Sequence, residues 1–250
     1  MSRARGAVTT LGPPLLVARG LRRRFRDFTA LDGVDLDLWP GESVALVGPN
    51  GAGKTTLLTI LAGVARASEG TVAWAEGVAP RVGWVPQRPS LYPRLTTLEN
   101  LRLFAALERA GDPEAAADDL IARADLGRFE DQSAAKLSTG TLQRLNLAIA
   151  LAGAPSVLLL DEPTATLSPD QRHRLWAWLD ELRAEGMALM FSTQSVDEAM
   201  RHGQRIAVLA AGRLVFAGSP DDLLREHGIG GGHDAEAAEL AFIRLVEPSA

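Results

Sequence analysis

The chain has 250 residues, 46% hydrophobic and 23% charged, with a formal net charge of −5. That length and apolar content support one large domain or two small lobes, and the acidic balance offers no global field to nucleic acid. Without cysteine there are no disulfides, no thiol catalysis and no cysteine-bound zinc; the four histidines (His173, His202, His227, His233) lack metal-ligand spacing, so a metal here would take oxygen ligands.

Residues 1–14 are polar, carry Gly and Pro, and read as a flexible tail without the apolar core of a signal peptide. Residues 15–21 and 31–38 read as strands, the second alternating Val34, Leu36, Leu38. The arginines Arg19, Arg22, Arg23, Arg24 and Arg26 read as a solvated strand and turn rather than a polyanion site. A turn at Pro40-Gly41-Glu42 leads into a short buried strand at 43–47. There follows Gly48-Pro49-Asn50-Gly51-Ala52-Gly53-Lys54-Thr55-Thr56, which fits G-x-x-x-x-G-K-[ST]. Glycines let the backbone curl so that its N–H groups point at phosphates, and the next helix adds the positive end of its dipole. Lys54 would reach the β/γ-phosphates and the Thr55 hydroxyl would ligate Mg²⁺. This stretch predicts nucleotide binding.

Leu57, Leu58, Ile60 and Leu61 give the following helix an apolar face, and Gly63 ends it. Short strands are expected at 70–74 and 82–85. The character then turns helical. Thr96 and Glu99 form a capping box opening a helix at 97–107, Asp112 caps a second with Pro113 at its first position, and 142–151 is a third. Parallel-sheet character resumes with the continuous apolar strand at 156–160. Ser168 caps a helix carrying Leu175, Trp178, Leu179 and Leu182, with Trp176 and Trp178 read as packing residues. A strand at 187–191, a helix capped by Ser195 and Glu198, a hairpin around Ala210-Ala211-Gly212-Arg213 and a helix opened by Ser219-Pro220 follow. Residues 228–232 are a glycine-rich break before an amphipathic stretch at 235–246. No apolar run approaches the roughly 18–20 residues that cross a bilayer.

The apolar run Val157-Leu158-Leu159-Leu160 ends in Asp161-Glu162, the Walker B arrangement, with Asp161 facing the metal and Glu162 able to polarise a water. Leu137-Ser138-Thr139-Gly140-Thr141, followed after one leucine by Gln143-Arg144, opens a helix ahead of that strand. In this order the motifs resemble those of the ATP-binding-cassette (ABC) ATPases, whose L-S-G-G-Q-like signature contacts the nucleotide of a partner subunit. Trp84-Val85-Pro86-Gln87 resembles that family's Q-loop, and Phe25 stands where an aromatic residue stacks on adenine. The resemblance runs from about residue 15 to 224. Tyr92-Pro93, Leu95-Thr96, Glu99-Asn100-Leu101 and the segment 239–245 point to its exporter-type (ABC-2-like) members.

The resemblance implies an α/β fold: a P-loop NTPase with a mixed and parallel sheet core, an N-terminal antiparallel β portion and an inserted helical subdomain at about 89–153. The ATPase domain would span 15–227, with a short C-terminal helix inside 228–250. Gly48, Pro49, Asn50, Gly51, Ala52, Gly53, Lys54, Thr55, Thr56 and Phe25 would bind ATP; Thr55, Gln87 and Asp161 would hold Mg²⁺. Glu162 would act as general base, assisted by Gln87, Gln194 and Lys54, and Leu137, Ser138, Thr139, Gly140 and Thr141 would act in trans. The implied partners are a second ATPase subunit, forming a homodimer, and an integral membrane permease, with the chain peripheral on the cytoplasmic face and no nucleic acid bound. Four departures stand out. Gln194 replaces the usual switch histidine and cannot carry a charge. Thr139 and Thr141 replace a signature glycine and glutamine, and Ser168 replaces the D-loop aspartate. Gln194 and Ser168 leave open a weakly hydrolysing regulatory subunit; a soluble non-transport ABC ATPase is the other alternative.

Overall fold

The structure, a computed structural model, describes residues 13–74, 81–108, 111–226 and 235–246. Most of the expected flexible tail and all of the glycine-rich break at 228–232 lie outside these residues. In chain order the elements are β1 (Leu16–Phe25), β2 (Phe28–Leu38), β3 (Ser43–Val47), α1 (Lys54–Leu61), β4 (Glu69–Trp74) and β5 (Val82–Val85). Then come α2 (Thr97–Leu107), α3 (Pro113–Arg123), α4 (Thr139–Leu151), β6 (Val157–Asp161) and α5 (Pro169–Ala184). The remainder is β7 (Ala188–Thr193), α6 (Val196–His202), β8 (Arg205–Ala210), β9 (Arg213–Gly218), α7 (Pro220–Glu226) and α8 (Ala235–Val246). The chain divides near residues 79 and 187 into two compact units, the second running from 80 to 187 and so wider than the helical insert expected at 89–153.

In the first unit, β7, β3 and β8 are parallel neighbours and β9 closes the row antiparallel to β8. Every residue of β3 and β7 is buried, which accounts for the apolar runs Val44–Val47 and Ala188–Phe191 within them. A separate antiparallel sheet has the order β2-β1-β4. Here the expected strands were too short. The arginine run continues β1 to Phe25, and Arg26, at φ 49°, turns the chain into β2. The arginines are held by acids on neighbouring strands: Arg19 by Asp37, Arg22 by Asp32 and Glu69, Arg24 by Glu69. Arg213 donates to Asp32, which, with Arg22 and Arg24 nearby, keeps that carboxyl below the usual carboxylate range.

Glu42 and Arg205 fasten this unit. Glu42 is 2% exposed and accepts from Arg205 Nε at 2.7 Å and Nη2 at 3.1 Å, while the Trp39 amide donates to the same carboxylate at 3.2 Å. The guanidinium lies 5.1 Å from the Trp39 ring centroid. The turn between β2 and β3 is thereby tied to the start of β8.

In the second unit, β5 and β6 form a parallel pair. α2 begins with the expected capping box, Thr96 accepting from the Glu99 amide and Glu99 from the Thr96 amide. The fully buried Asn100 accepts from the Tyr92 amide and donates to the Tyr92 and Thr96 carbonyls at 3.0 and 2.9 Å, fixing the segment ahead of α2. Trp176 and Trp178 are buried, as packing residues should be. The strand expected at 156–160 starts one residue later and includes Asp161.

Removing one partner of the Glu42–Arg205 pair strands a cation among buried groups, which typically costs several kcal/mol. Glu42→Ala is expected to lower the stability of the first unit by about 3 kcal/mol in chemical denaturation.

Candidate functional site

β3 is a buried strand whose chain leaves it directly into Gly48–Gly53 and α1. Two glycines are demanded by space, and one of them, Gly53, by curvature as well. A Cβ on Gly48 would overlap the Leu209 carbonyl oxygen, and Gly53, at φ 107°, would press one against the Ala30 carbonyl oxygen. Ala52 is buried, Pro49, Asn50 and Gly51 are exposed, and Thr55 is exposed on the first turn of α1 with Thr56 half-buried. Gly53 caps α1 without a side-chain hydrogen bond, so the amides at that end carry the positive pole of the helix. Lys54 is 6% exposed, and its ammonium donates to the Gly48 carbonyl at 2.6 Å and the Pro49 carbonyl at 3.1 Å, which places a cation over the turn.

Gln194 emerges from the neighbouring strand. Thr193, the last residue of β7, is paired with Val47, the last of β3, so Gln194 and Gly48 leave the sheet at the same end. Gln194 is exposed on a bend that Thr193 shapes. The Thr193 hydroxyl donates to the buried Glu198 carboxylate at 2.6 Å and accepts from the Ser195 amide at 3.0 Å. Ser195 accepts from the Glu198 amide at 3.2 Å, as a cap should. The expected cap by Ser195 with Glu198 holds for the Ser195 hydroxyl, while the Glu198 side chain turns to the Thr193 hydroxyl and the Ser195 amide donates to that same hydroxyl. Phe25 is 48% exposed at the β1–β2 turn, with the Arg23 guanidinium 4.5 Å from its centroid, so the cation lies over one face of the ring.

The second unit carries the carboxylates. Val85 on β5 pairs with Leu160 on β6, so two residues on, Gln87 and Glu162 stand level, and Gln87 Nε2 donates to Glu162 Oε2 at 3.0 Å. Asp161, 2% exposed, ends the strand. Glu162 has φ 48°, the left-handed region that non-glycine residues adopt at a cost of about 1–3 kcal/mol. The reversal turns its side chain away from the alternation of the strand and towards the Gln87 amide. Among the described residues no group of three His, Cys, Asp or Glu could hold a metal. The buried carboxylate of Asp161 offers the hard oxygen donor that suits Mg²⁺, which takes few protein ligands and completes its shell with phosphate oxygens and water.

The segment Leu137–Thr141, expected to act in trans, opens α4. Ser138 caps the helix, accepting from the Thr141 amide at 3.3 Å, and its hydroxyl lies 2.8 Å from the Thr141 hydroxyl. The threonine that stands in place of the usual glutamine therefore closes back on the cap. Leu137 is half-buried, Thr139 exposed and Gly140 buried. Sequence reasoning missed the Thr193–Glu198 bond, the Arg23–Phe25 contact and Gln171, whose amide forms a capping box with Ser168; only the last had a readable signal, the spacing S-x-x-Q.

A buried parallel strand, a glycine-constrained turn and a cation held over that turn in the first unit, with a strand ending in a paired carboxylate in the second, define a P-loop NTPase. Comparison with known proteins refines the class. The family described as ABC transporter matches residues 31–165. The Nod factor export ATP-binding protein I of Cupriavidus metallidurans is 34% identical over 220 residues, covering 84% of this chain and 73% of the relative. The sulfate/thiosulfate import ATP-binding protein CysA of Xylella fastidiosa is 39% identical over 217 residues, covering 81% and 62%. The human ATP-binding cassette sub-family A member 10 is 39% identical over 213 residues; these are 80% of this chain but only 14% of that protein. A solved ATP binding subunit of an ABC transporter superposes with a TM-score of 0.81 at 27% identity, over 92% of this chain and 99% of its own. The chain belongs to the ABC transporter family and is an ATP-binding subunit of that family.

Thr193→Val leaves a buried carboxylate and the Ser195 amide without the hydroxyl between them. It is expected to cost about 2 kcal/mol, while Thr193→Ser, which keeps the hydroxyl, costs less than about 1, both read from thermal unfolding.

Proposed function

We propose that this chain hydrolyses ATP to drive a separate membrane-spanning permease, as one of two identical subunits, and that the transport is export. The Gln87–Glu162 hydrogen bond carries this reading: it holds an amide and a carboxylate together at the ends of two paired strands, as a water-activating pair requires. Gly48–Thr56 bind the phosphates, with Lys54 compensating their charge, and Phe25 stacks on the adenine. Thr55, Asp161 and Gln87 would hold Mg²⁺ through oxygen atoms, and the ion would supply charge neutralisation for the phosphates. Glu162 takes the proton of the attacking water as the γ-phosphoryl leaves ADP, and Gln194 donates to a γ-phosphate oxygen. Leu137–Thr141 serve the nucleotide of the second subunit. Closure around two nucleotides and reopening after hydrolysis would be felt by the permease through the surface from Gln87 to Leu101.

Support for export comes from the motifs at Tyr92–Leu101 and from the Cupriavidus relative, whose name includes export; the Xylella relative is named for import, so direction needs its own measurement in membranes containing the permease. Among the described residues no helix is long and apolar enough to cross a membrane, which suits a peripheral place at the cytoplasmic face.

Phosphate release by the purified chain tests the enzyme. Glu162→Gln is expected to lower the rate by about 100-fold or more, the usual contribution of a positioned base, while ATP binding persists. A wild-type rate equal to that of the variant favours the regulatory alternative that Gln194 and Ser168 suggest. Gln194→His, by allowing a charge-assisted bond to phosphate, is expected to raise the rate about 5-fold. An unchanged rate would show that this position is not limiting.

A further inference from the structure

The turn that opens α4 and the turn that opens α5 touch through one side chain. Gln171 Oε1 accepts from the Ser168 amide at 3.1 Å, and the Gln171 amide donates to the Ser168 hydroxyl at 3.4 Å, which fixes the rotamer. So held, its carboxamide lies flat against Gly140: a Cβ built on that glycine would overlap Gln171 Nε2 and Cδ and come within 3.0 Å of Cγ. Ser138, Gly140, Thr141, Leu167, Gln171 and Leu175 line one cavity at this junction. Gln171 can swing away from Gly140 only by giving up its bond to Ser168. Gly140 has no positive φ, so the lack of a side chain here answers to the space that Gln171 fills rather than to backbone curvature.

We propose that Gln171 is a positioning residue: its amide, wedged against Gly140, sets where the Ser138–Thr141 turn stands relative to the turn that ends at Ser168. Because the proposal rests on the trans role given to Leu137–Thr141, Gln171 would act on the step that needs two subunits and not on the first binding of ATP. The backbone amide of Ser168 anchors the wedge by donating to Gln171 Oε1, and the serine hydroxyl completes the capping box.

The test is a cycle of Gly140→Ala, Gln171→Ala and the double variant, with Gln171→Met as a variant that keeps bulk and loses the cap. Alanine is intrinsically better than glycine in a helix, so a fall in melting temperature on Gly140→Ala, of about 2–4 °C, reports the overlap. The double variant should recover that loss, and its kcat for ATP should return from about 10-fold below wild type to within about 3-fold of Gln171→Ala alone. Gln171→Ala should lower kcat about 5-fold with KM unchanged, and Gln171→Met should restore most of it. A double variant no better than Gly140→Ala would overturn the proposal, because the glycine would then be needed by something other than Gln171; so would an unshifted melting temperature in Gly140→Ala. If the wild-type chain released no phosphate, the hydrolysis reading would fail on its own, and the melting cycle would still decide the contact.

Discussion

Parallel pairing in register is the constraint on which the functional geometry depends. A strand of β3 or β6 type offers no choice of face, being buried throughout, and the residues that matter are the first ones beyond its end. The pairing of Val47 with Thr193 sets the glycine-rich turn and the Gln194 bend at one level. The pairing of Val85 with Leu160 sets Gln87 opposite Glu162 in the same way. Slipping either pair by one residue would reverse every side chain on the strand, so burial of both faces protects the placement of groups that contribute nothing to the core. The strained φ at Glu162 is tolerable for this reason: the strand before it is too well held to move.

The motifs were legible because their chemistry is local. The phosphate loop, the caps at Thr96, Asp112, Ser168 and Ser195, and the apolar strand before Asp161 each fit within a few residues and declare their backbone conformation. The extent of β1 and β2 was not legible. Arg22-Arg23-Arg24 breaks the alternation that marks a strand, and what allows three successive arginines there is a set of acids on β2 and β4 that local periodicity cannot see. The same limit hid the Thr193–Glu198 bond and the contact of Gln171 with Gly140. A capping pattern predicts that a glutamate faces its own helix end, but a strand-end hydroxyl nearby offered Glu198 a better-buried partner.

Two of the departures from the ABC pattern share a physical character. Thr141 and Ser168 replace an amide and a carboxylate with hydroxyls, and both bond within their own turn: Thr141 to Ser138, Ser168 to Gln171. Short hydroxyl side chains satisfy the helix ends they cap and reach nothing beyond. The fold therefore tolerates them fully. What changes is how far these two turns can project polar groups outward, and the rigid wedge between them makes the two turns a single piece.

The antiparallel sheet also bears on self-association. β2 carries Asp32, Asp35 and Asp37, and the arginines that neutralise Asp32 and Asp37 sit on the inner strand β1 or come from β9. A second copy adding itself along β2 would bring acid against acid, with the compensating guanidiniums already engaged one strand away. Like charges facing across a strand pair are unfavourable, and charged edge strands are a common device against open-ended sheet growth. The ladder of ion pairs adds little to stability at each exposed site. It does disfavour fibre-like stacking through β2 and leaves any pairing of copies to other faces of the molecule.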